Sequence, residues 1–194
     1  MGKLKLAVFI SGRGSNLQSI IDACADPDFP AEIEVVISNK PDAYGLIRAE
    51  NAGIATIVVN HKDYPSREEF EDALQIALES FSIDLICLAG FMRVLTEDFV
   101  NRWEGKMINI HPSLLPKFKG LHTHERAIEA GEKESGCTVH FVIPDMDEGP
   151  IILQKRVSID ENETPASLAE KVLVAEHIAY PEAIRYLASR PLKS

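Results

Sequence analysis

Two polar side chains stand at alternate positions in the segment 107–116, which reads Met-Ile-Asn-Ile-His-Pro-Ser-Leu-Leu-Pro. Asn109 and His111 are two residues apart, so on a strand both side chains emerge on the same face. Histidine can supply a proton near neutral pH, and a carboxamide can donate a hydrogen bond to a developing oxyanion. The segment is therefore a candidate catalytic element. Its alternative is a structural histidine whose hydrogen bonds are already satisfied.

A glycine-rich turn, Ser-Gly-Arg-Gly-Ser-Asn, occupies residues 11–16 directly after the first apolar run. Backbone amides at such a turn, together with the dipole of the helix that follows, can bind an anionic phosphate. Leu17 stands where a dinucleotide fingerprint would have its third glycine, and no Gly-Lys-Ser/Thr of a P-loop follows. One phosphate monoester, held by amides and by the Ser15 and Asn16 side chains, fits better. The alternative is a tight turn that merely requires glycine.

Three carboxylates lie close together in the segment 145–150, Asp-Met-Asp-Glu-Gly-Pro. Composition alone favours a solvated turn between two strands. Pairing with histidines could make a metal site, but no spacing matches a recognised ligand motif such as H-E-x-x-H. We therefore expect no metal. The three cysteines are widely spaced and form no C-x-x-C pair, so they support neither a zinc knuckle nor a disulfide framework.

Composition narrows the class of protein. The chain has 194 residues, 45% of them hydrophobic, and a formal net charge of −10. This is an ordinary globular composition, and the acidic balance argues against a basic nucleic-acid-binding face. The apolar run that begins at Leu4 is too short for a signal peptide or a membrane span. We expect a cytoplasmic protein that binds neither nucleic acid nor membrane.

Short apolar runs alternate with helical patterns over the first 110 residues. Such runs predict strands that are buried on both faces, as in a parallel sheet, and repeated strand–helix–strand units predict a Rossmann-like, doubly wound α/β fold. The predicted strands are 4–11, 33–38, 54–59, 83–89 and 107–110, and the predicted helices are 16–25, 43–52, 66–80 and 97–103.

The pattern changes after residue 110. A loop over 111–120 precedes a helix that begins at 122 or 123 and ends at 130, and two strands at 137–143 and 151–157 flank the acidic turn. With no long helix between them, these strands are expected to be antiparallel and to extend the sheet. Thr164 and Pro165 are expected to begin a last helix, which Pro181 kinks or divides.

These motifs, in this order, resemble the folate-dependent phosphoribosylglycinamide formyltransferases, and the resemblance covers nearly the whole chain. The shared segments are Ser-Gly-x-Gly-Ser-Asn (11–16), Ser-Asn-Lys (38–40), Ala-Gly-Ile (52–54), Leu-Ala-Gly-Phe-Met-Arg (88–93), Asn-Ile-His-Pro-Ser-Leu-Leu-Pro (109–116), Gly-Leu-His-Thr-His (120–124), Asp-x-Gly-Pro (147–150), Glu-His (176–177) and Tyr-Pro (180–181). The resemblance implies the formyltransferase fold in one domain over residues 1–194. Residues 1–110 would form a parallel phosphate-binding half and residues 111–194 a folate and catalytic half.

The resemblance also implies an acyl transfer. The amine of 5-phosphoribosylglycinamide would attack the formyl carbon of 10-formyltetrahydrofolate, and a tetrahedral oxyanion would collapse to release tetrahydrofolate. His111 would act as general acid and stabilise the oxyanion, while Asn109 donates a further hydrogen bond to it. Asp147 would hold His111 and favour its protonated form. No metal is implied.

Binding residues follow by the same carry-over, residue by residue. The phosphate would be bound by Gly14, Ser15 and Asn16, the ribose hydroxyls by Glu176, and the glycinamide end by Met92 and Asn109. The folate would be bound by Met92, Arg93, Val94, Leu95, Asn109 and Asp147, with Arg67 near its carboxylates. Solvated arginines, apolar core packing and an exposed helix carboxylate are the corresponding alternatives.

Two positions depart from the family's pattern. Leu173 stands where the family often carries Lys or Gln, which helps to hold the phosphate. Either phosphate affinity is weaker or another cation, such as Arg13, compensates. Lys119 replaces the usual proline before Gly120, which leaves the shape of that loop open.

Several other functions remain as alternatives. Methionyl-tRNA formyltransferases share the His-Pro-Ser-Leu-Leu-Pro type of segment (111–116) but carry a further domain for tRNA, and formyltetrahydrofolate hydrolases carry an amino-terminal regulatory domain. Sugar-nucleotide formyltransferases are disfavoured by Gly14, Ser15, Asn16 and Glu176. A non-catalytic folate- or phosphate-binding module would not need Asn109, His111 and Asp147. The expected partners are small-molecule substrates, and a homodimer is possible.

Overall fold

A seven-stranded sheet runs through the computed structural model, which describes residues 2–192. Its strands are β1 (Leu4–Ile10), β2 (Ala31–Ser38), β3 (Ala55–Val58), β4 (Leu85–Leu88), β5 (Met107–His111), β6 (Glu134–Phe141) and β7 (Ile151–Ser158). The helices are α1 (Ser15–Cys24), α2 (Tyr44–Asn51), α3 (Arg67–Glu79), α4 (Glu97–Arg102), α5 (Thr123–Glu129) and α6 (Pro165–Ala188), and a short 3₁₀ helix spans His61–Asp63.

The strand order is β3-β2-β1-β4-β5-β6-β7. The first five strands are parallel, and β6 and β7 are antiparallel additions beside β5. This confirms the predicted α/β sheet with an antiparallel extension. The chain runs outward from β1 to β3 and then returns to place β4 on the other side of β1. The order therefore reverses between β1 and β4, which is where open α/β sheets bind their ligands.

Alternating side chains of β1 serve two separate cores. Leu6, Val8 and Ile10 pack on the face that α1 and α6 cover, whereas Ala7 and Phe9 pack on the face that α3 and α4 cover. All five side chains are fully buried. A strand of this kind must be apolar on both faces, which is why it appears in the sequence as a continuous apolar run.

The last helix is continuous through Pro181, so of the two predicted effects of this proline, division of the helix is wrong and a kink stays a prediction. Thr164 caps the helix and Pro165 occupies its first turn, as predicted. Pro181 lacks the N–H that would bond one turn back. Tyr180, immediately before it, is fully buried and donates from its hydroxyl to the Leu88 carbonyl at 2.8 Å. Packing against the sheet therefore outweighs the lost backbone bond.

Element ends differ from the predicted ones by a few residues. β6 begins at Glu134, three residues before its predicted start, and the 3₁₀ helix was not predicted. Within residues 2–192, no helix combines the length and the apolar character that a membrane crossing requires.

Candidate active site

The predicted site residues gather at the carboxyl ends of β1, β4 and β5. The turn after β1 carries Asn16, the loop after β4 carries Met92, and β5 itself carries Asn109 and His111. Asn109 pairs with Leu88 of β4 on one side and with His140 of β6 on the other. The site therefore forms beside the point where the strand order reverses.

A cavity of about 270 Å³ opens next to Asn109. Six of the seven residues predicted to bind folate line it, namely Met92, Arg93, Val94, Leu95, Asn109 and Asp147. Its remaining walls come mainly from the segment 142–146 and from apolar side chains behind the loop. Arg67, the seventh, is exposed at the start of α3 and does not line the cavity.

The loop that forms one wall of this cavity is anchored at both ends. Near its beginning, the Met92 N–H donates to the hydroxyl of Ser11 at 2.7 Å. At its end, the N–H of Thr96 donates to the buried carboxylate of Glu71 at 2.7 Å, and the Thr96 hydroxyl bonds the same carboxylate. The wall is therefore fixed from β1 and from α3, although Met92 itself is exposed.

His111 and Asp147 meet as the resemblance implies. His111 Nδ1 lies 3.5 Å from Asp147 Oδ2, and both side chains are at least 90% buried. The other ring nitrogen, Nε2, lies 2.9 Å from the Phe118 carbonyl oxygen, and Gly120 N–H donates to Asp147 Oδ2 at 2.9 Å. Both ring nitrogens thus face acceptors, and only the imidazolium can offer an N–H to each. For His111 Nε2 to donate a proton to a substrate, the Phe118 carbonyl oxygen must first move away from it.

His140 belongs to this cluster, and we did not assign it from the sequence. Its Nδ1 donates to the Phe141 carbonyl at 2.9 Å, which leaves Nε2 as an acceptor for the Asn109 Nδ2 at 3.4 Å. The same Nε2 lies 3.9 Å from Asp147 Oδ1. Burial lowers the pKa of His140, so this imidazole is neutral near pH 7. The heads of Asn109 and Asp147 therefore meet around one ring nitrogen.

The backbone around Asp147 is unusual in two ways. Asp147 has a φ of 56°, a left-handed conformation that is rare for residues other than glycine. A Cβ on Gly149 would lie 1.7 Å from the Phe141 carbonyl oxygen, so this position requires glycine. Lys119 forms an ion pair with Glu148 at 2.6 Å. Lys119, which departs from the family's pattern, is thus accommodated beside Asp147.

The predicted ribonucleotide residues form a second group. Asn16 Nδ2 donates to Glu176 Oε1 at 3.2 Å, although the two residues are 160 positions apart. Glu176 is 9% exposed, and burial raises its pKa to about 7 against the partial relief that Asn16 gives. Asn16 Oδ1 is buried and, among the described residues, has no hydrogen-bond partner. Buried polar atoms normally have a hydrogen-bond partner, so Asn16 Oδ1 is an acceptor that a polar ligand could use.

The cysteines and acidic residues show no cluster of metal-binding type. Within residues 2–192, no group of three or more His, Cys, Asp or Glu side chains is arranged to hold a metal ion. Cys24, Cys87 and Cys137 are free thiols. Burial raises the pKa of Cys137 to about 12 and that of Cys24 to about 11, so these thiols are unreactive.

Comparison with known proteins gives consistent matches. A family model described as formyl transferase matches residues 4–184. Phosphoribosylglycinamide formyltransferase of Haemophilus influenzae is 48% identical over 97% of this chain and 89% of that protein. The crystal structure of phosphoribosylglycinamide formyltransferase from Brucella melitensis superposes with a TM-score of 0.93 at 49% identity and covers 99% of both chains.

A longer relative is also similar. The trifunctional purine biosynthetic protein adenosine-3 of Homo sapiens is 54% identical over 187 residues, which make up 96% of this chain and 18% of that protein. This chain therefore spans less than a fifth of the length of the trifunctional relative it matches.

Proposed function

The chain belongs to the formyl transferase family, and on this basis we propose that it is a phosphoribosylglycinamide formyltransferase of purine biosynthesis. It transfers the formyl group of 10-formyltetrahydrofolate to the primary amine of 5-phosphoribosylglycinamide. The products are the N-formyl ribonucleotide and tetrahydrofolate. We place the reaction in the cytoplasm, and its partners are small molecules rather than nucleic acid or membrane.

The observation that supports the proposal is that Asn109 and Asp147 line one apolar cavity, while the buried His111, which does not line it, contacts Asp147. Asp147 lies 3.5 Å from His111, and Asn109 and Asp147 both approach His140 Nε2. A carboxamide donor, an imidazolium and a carboxylate are what an acyl transfer needs when the substrate itself provides the nucleophile. A protein that only binds its ligands does not require a carboxamide, an imidazole and a carboxylate to be buried close together.

In the proposed reaction, the glycinamide nitrogen attacks the formyl carbon and the formyl oxygen becomes an oxyanion. Asn109 donates an N–H to that oxygen, and the His111 imidazolium stabilises its charge while Asp147 stabilises the imidazolium. The imidazolium gives a proton to the folate N10 as the C–N10 bond breaks, and the proton that the attacking nitrogen loses restores the imidazolium. His111 is the group that supplies a proton in this collapse.

We assign the two substrates to the two groups of residues. The cavity volume lies near the lower end of ligand pockets, which hold roughly 300–1,000 Å³, so it takes the pterin head between Met92, Val94 and Leu95. The remainder of the folate extends outward past Arg93 towards Arg67. The phosphate lies at Gly14, Ser15 and Asn16 and the ribose at Glu176, which places the amine near Met92 and Asn109. The ribonucleotide site thus draws on both the 1–110 and the 111–194 halves.

The test is formyl transfer measured with purified protein. We expect turnover of 10-formyltetrahydrofolate when 5-phosphoribosylglycinamide is present, followed by the absorbance of the released folate, and no effect of a chelator. Transfer to charged initiator tRNA instead would support a methionyl-tRNA formyltransferase. Binding of both ligands without turnover would support a non-catalytic module. Loss of activity on chelation would revive the metal hypothesis.

A further inference from the structure

The glycine-rich turn over residues 11–16, the proposed phosphate-binding turn, packs against α2. Gly45 N–H donates to the Gly12 carbonyl at 3.0 Å, and Arg48 Nε donates to the Arg13 carbonyl at 2.8 Å. The two backbones touch, since a Cβ on Gly14 would lie 2.7 Å from Gly45 Cα. Two consecutive carbonyls of the turn are therefore directed at α2.

These contacts orient the amides of the turn. In a trans peptide the N–H points opposite to the C=O of the same unit, and among the described residues the cis peptide bond is Leu115-Pro116. Because the carbonyls of Gly12 and Arg13 face α2, the N–H groups of Arg13 and Gly14 face away from it. Successive N–H groups directed to one side, at the beginning of α1, form an anion-binding concavity.

Several contacts hold the Arg48 side chain and keep its positive charge beside the turn. Its guanidinium lies 5.0 Å from the centre of the Tyr44 ring, and NH1 donates to Gln18 Oε1 at 3.4 Å. Arg48 also lines a cleft of about 390 Å³ together with Ser15 and His177. The other residues that line this cleft are Gln18, Ser19 and Asp22.

Among the described residues that line the cleft, none besides Arg48 is a basic group that is charged near pH 7, and Asp22 contributes a carboxylate. His177 is half-buried, and burial together with the nearby Arg48 charge lowers its pKa, so it is neutral there. Leu173, one turn earlier on α6, supplies no cation, and the side chain of Arg13 is not among those that line the cleft. The positive charge that borders the cleft is therefore that of Arg48.

We propose that Arg48 is a positioning residue for the substrate phosphate, acting through the Arg13 carbonyl. It holds the peptide between Arg13 and Gly14 so that the Gly14 N–H faces the phosphate, and it places beside the turn the charge that position 173 does not supply. The ligand class is a phosphate monoester on a ribose. The inference rests on the proposed function for the identity of the substrate, although binding itself does not depend on turnover.

The test compares Arg48→Ala with Arg185→Ala as a matched control. The Arg185 guanidinium lies 5.0 Å from the centre of the Phe29 ring, the same distance as in the Arg48–Tyr44 pair, but Arg185 is in α6 and, within residues 2–192, forms no hydrogen bond or ion pair with the turn. The dissociation constant of ribose 5-phosphate is measured by calorimetry, and the KM of each substrate by turnover.

Arg48→Ala should raise the dissociation constant of ribose 5-phosphate and the KM of the ribonucleotide on the order of tenfold, which corresponds to one charge-assisted hydrogen bond. The KM of the folate should stay within about twofold, which also reports that the variant is folded. Arg48→Lys should recover part of the loss, and Arg185→Ala should match the unaltered protein.

Equal behaviour of Arg48→Ala and Arg185→Ala would overturn the inference, as would an equal rise in both KM values. If Arg48→Ala does not fold, the inference depends on Arg48→Lys, which must weaken ribose 5-phosphate binding without altering the folate KM. Binding of ribose 5-phosphate without any formyl transfer by the unaltered protein would refute the proposed function. The calorimetric comparison at Arg48 would still decide the inference.

Discussion

His140 lies directly opposite Asn109 in the antiparallel pairing of β6 with β5, and its Nε2 is 3.4 Å from the Asn109 amide nitrogen. Because His140 Nδ1 already donates to Phe141, Nε2 can only accept, which directs the Asn109 NH₂ group towards it. One N–H of that group is thereby held, and in the proposed reaction the other is left for the formyl oxygen. We expect His140 to orient the carboxamide without reacting itself.

Replacing His140 by Ala should therefore reduce turnover through Asn109. Loss of an oxyanion donor costs about 10²–10³ in kcat, and a misdirected donor should cost less, about tenfold. We expect His140→Ala to lower kcat less than Asn109→Ala does, with an unchanged KM for the ribonucleotide. A larger loss in His140→Ala than in Asn109→Ala would show that His140 has a chemical role of its own.

His111→Ala should abolish most of the activity and leave phosphate binding intact. The imidazole supplies both a proton and charge stabilisation, so kcat should fall by about 10²–10⁴. Calorimetry with ribose 5-phosphate provides the control, because His111 is not among the residues proposed to bind the phosphate. If turnover survives within about tenfold, the assignment of the proton donor to His111 is wrong.

Glu176 should make the protein less stable as the pH rises. Its pKa is 4.5 in the unfolded chain and about 7 in the folded one, because burial disfavours the carboxylate. Between these values the unfolded chain releases a proton that the folded chain retains. The free energy of unfolding should therefore fall as the pH rises from about 4.5 to about 7, by at most about 3 kcal/mol.

Urea unfolding at pH 5 and pH 8 measures this dependence. Glu176→Gln should remove that part of the pH dependence, whereas Glu170→Gln, an exposed position on the same helix, should retain it. Identical pH dependence in the two variants would contradict the burial of an uncharged Glu176.

Gly149→Ala should destabilise the turn that presents Asp147. The added Cβ would lie 1.7 Å from the Phe141 carbonyl oxygen, so β6 or the turn must move, at a cost of roughly 3 kcal/mol. Gly131→Ala is the control, because its Cβ meets nothing within 4 Å and its φ of 69° costs only about 1 kcal/mol. Urea unfolding compares the two, and equal losses would show that the crowding at Gly149 is relieved without strain. Turnover should fall in Gly149→Ala alone.

The sheet was predictable because its strands are buried on both faces and must be apolar. The side-chain period of a strand likewise placed Asn109 and His111 on one face. The sequence did not reveal His140, because its position depends on how β6 aligns with β5. One signal was available, namely the polar residues Thr138 and His140 at alternate positions of an otherwise apolar predicted strand.

Two other differences have physical causes of the same kind. The effect of Pro181 was overestimated because the local cost of a proline is visible in sequence, whereas the packing of Tyr180 against the sheet is not. The sequence left open whether another cation, such as Arg13, compensates for Leu173, and it did not show that α2 brings Arg48, 32 residues beyond Asn16, to the turn backbone. In both cases the outcome depends on contacts between helices and strands that are far apart in the sequence.

The register of the β5–β6 pairing also decides which side chains lie on the same face of the sheet. Asn109, His111 and His140 share one face, while Cys137 and Val139 alternate onto the face that α6 covers. A single residue inserted within β6 ahead of position 140 would turn the imidazole into the apolar core and bring the Val139 side chain to Asn109. The sheet could still form after such a shift of register, but the face that carries the proposed catalytic residues would be lost.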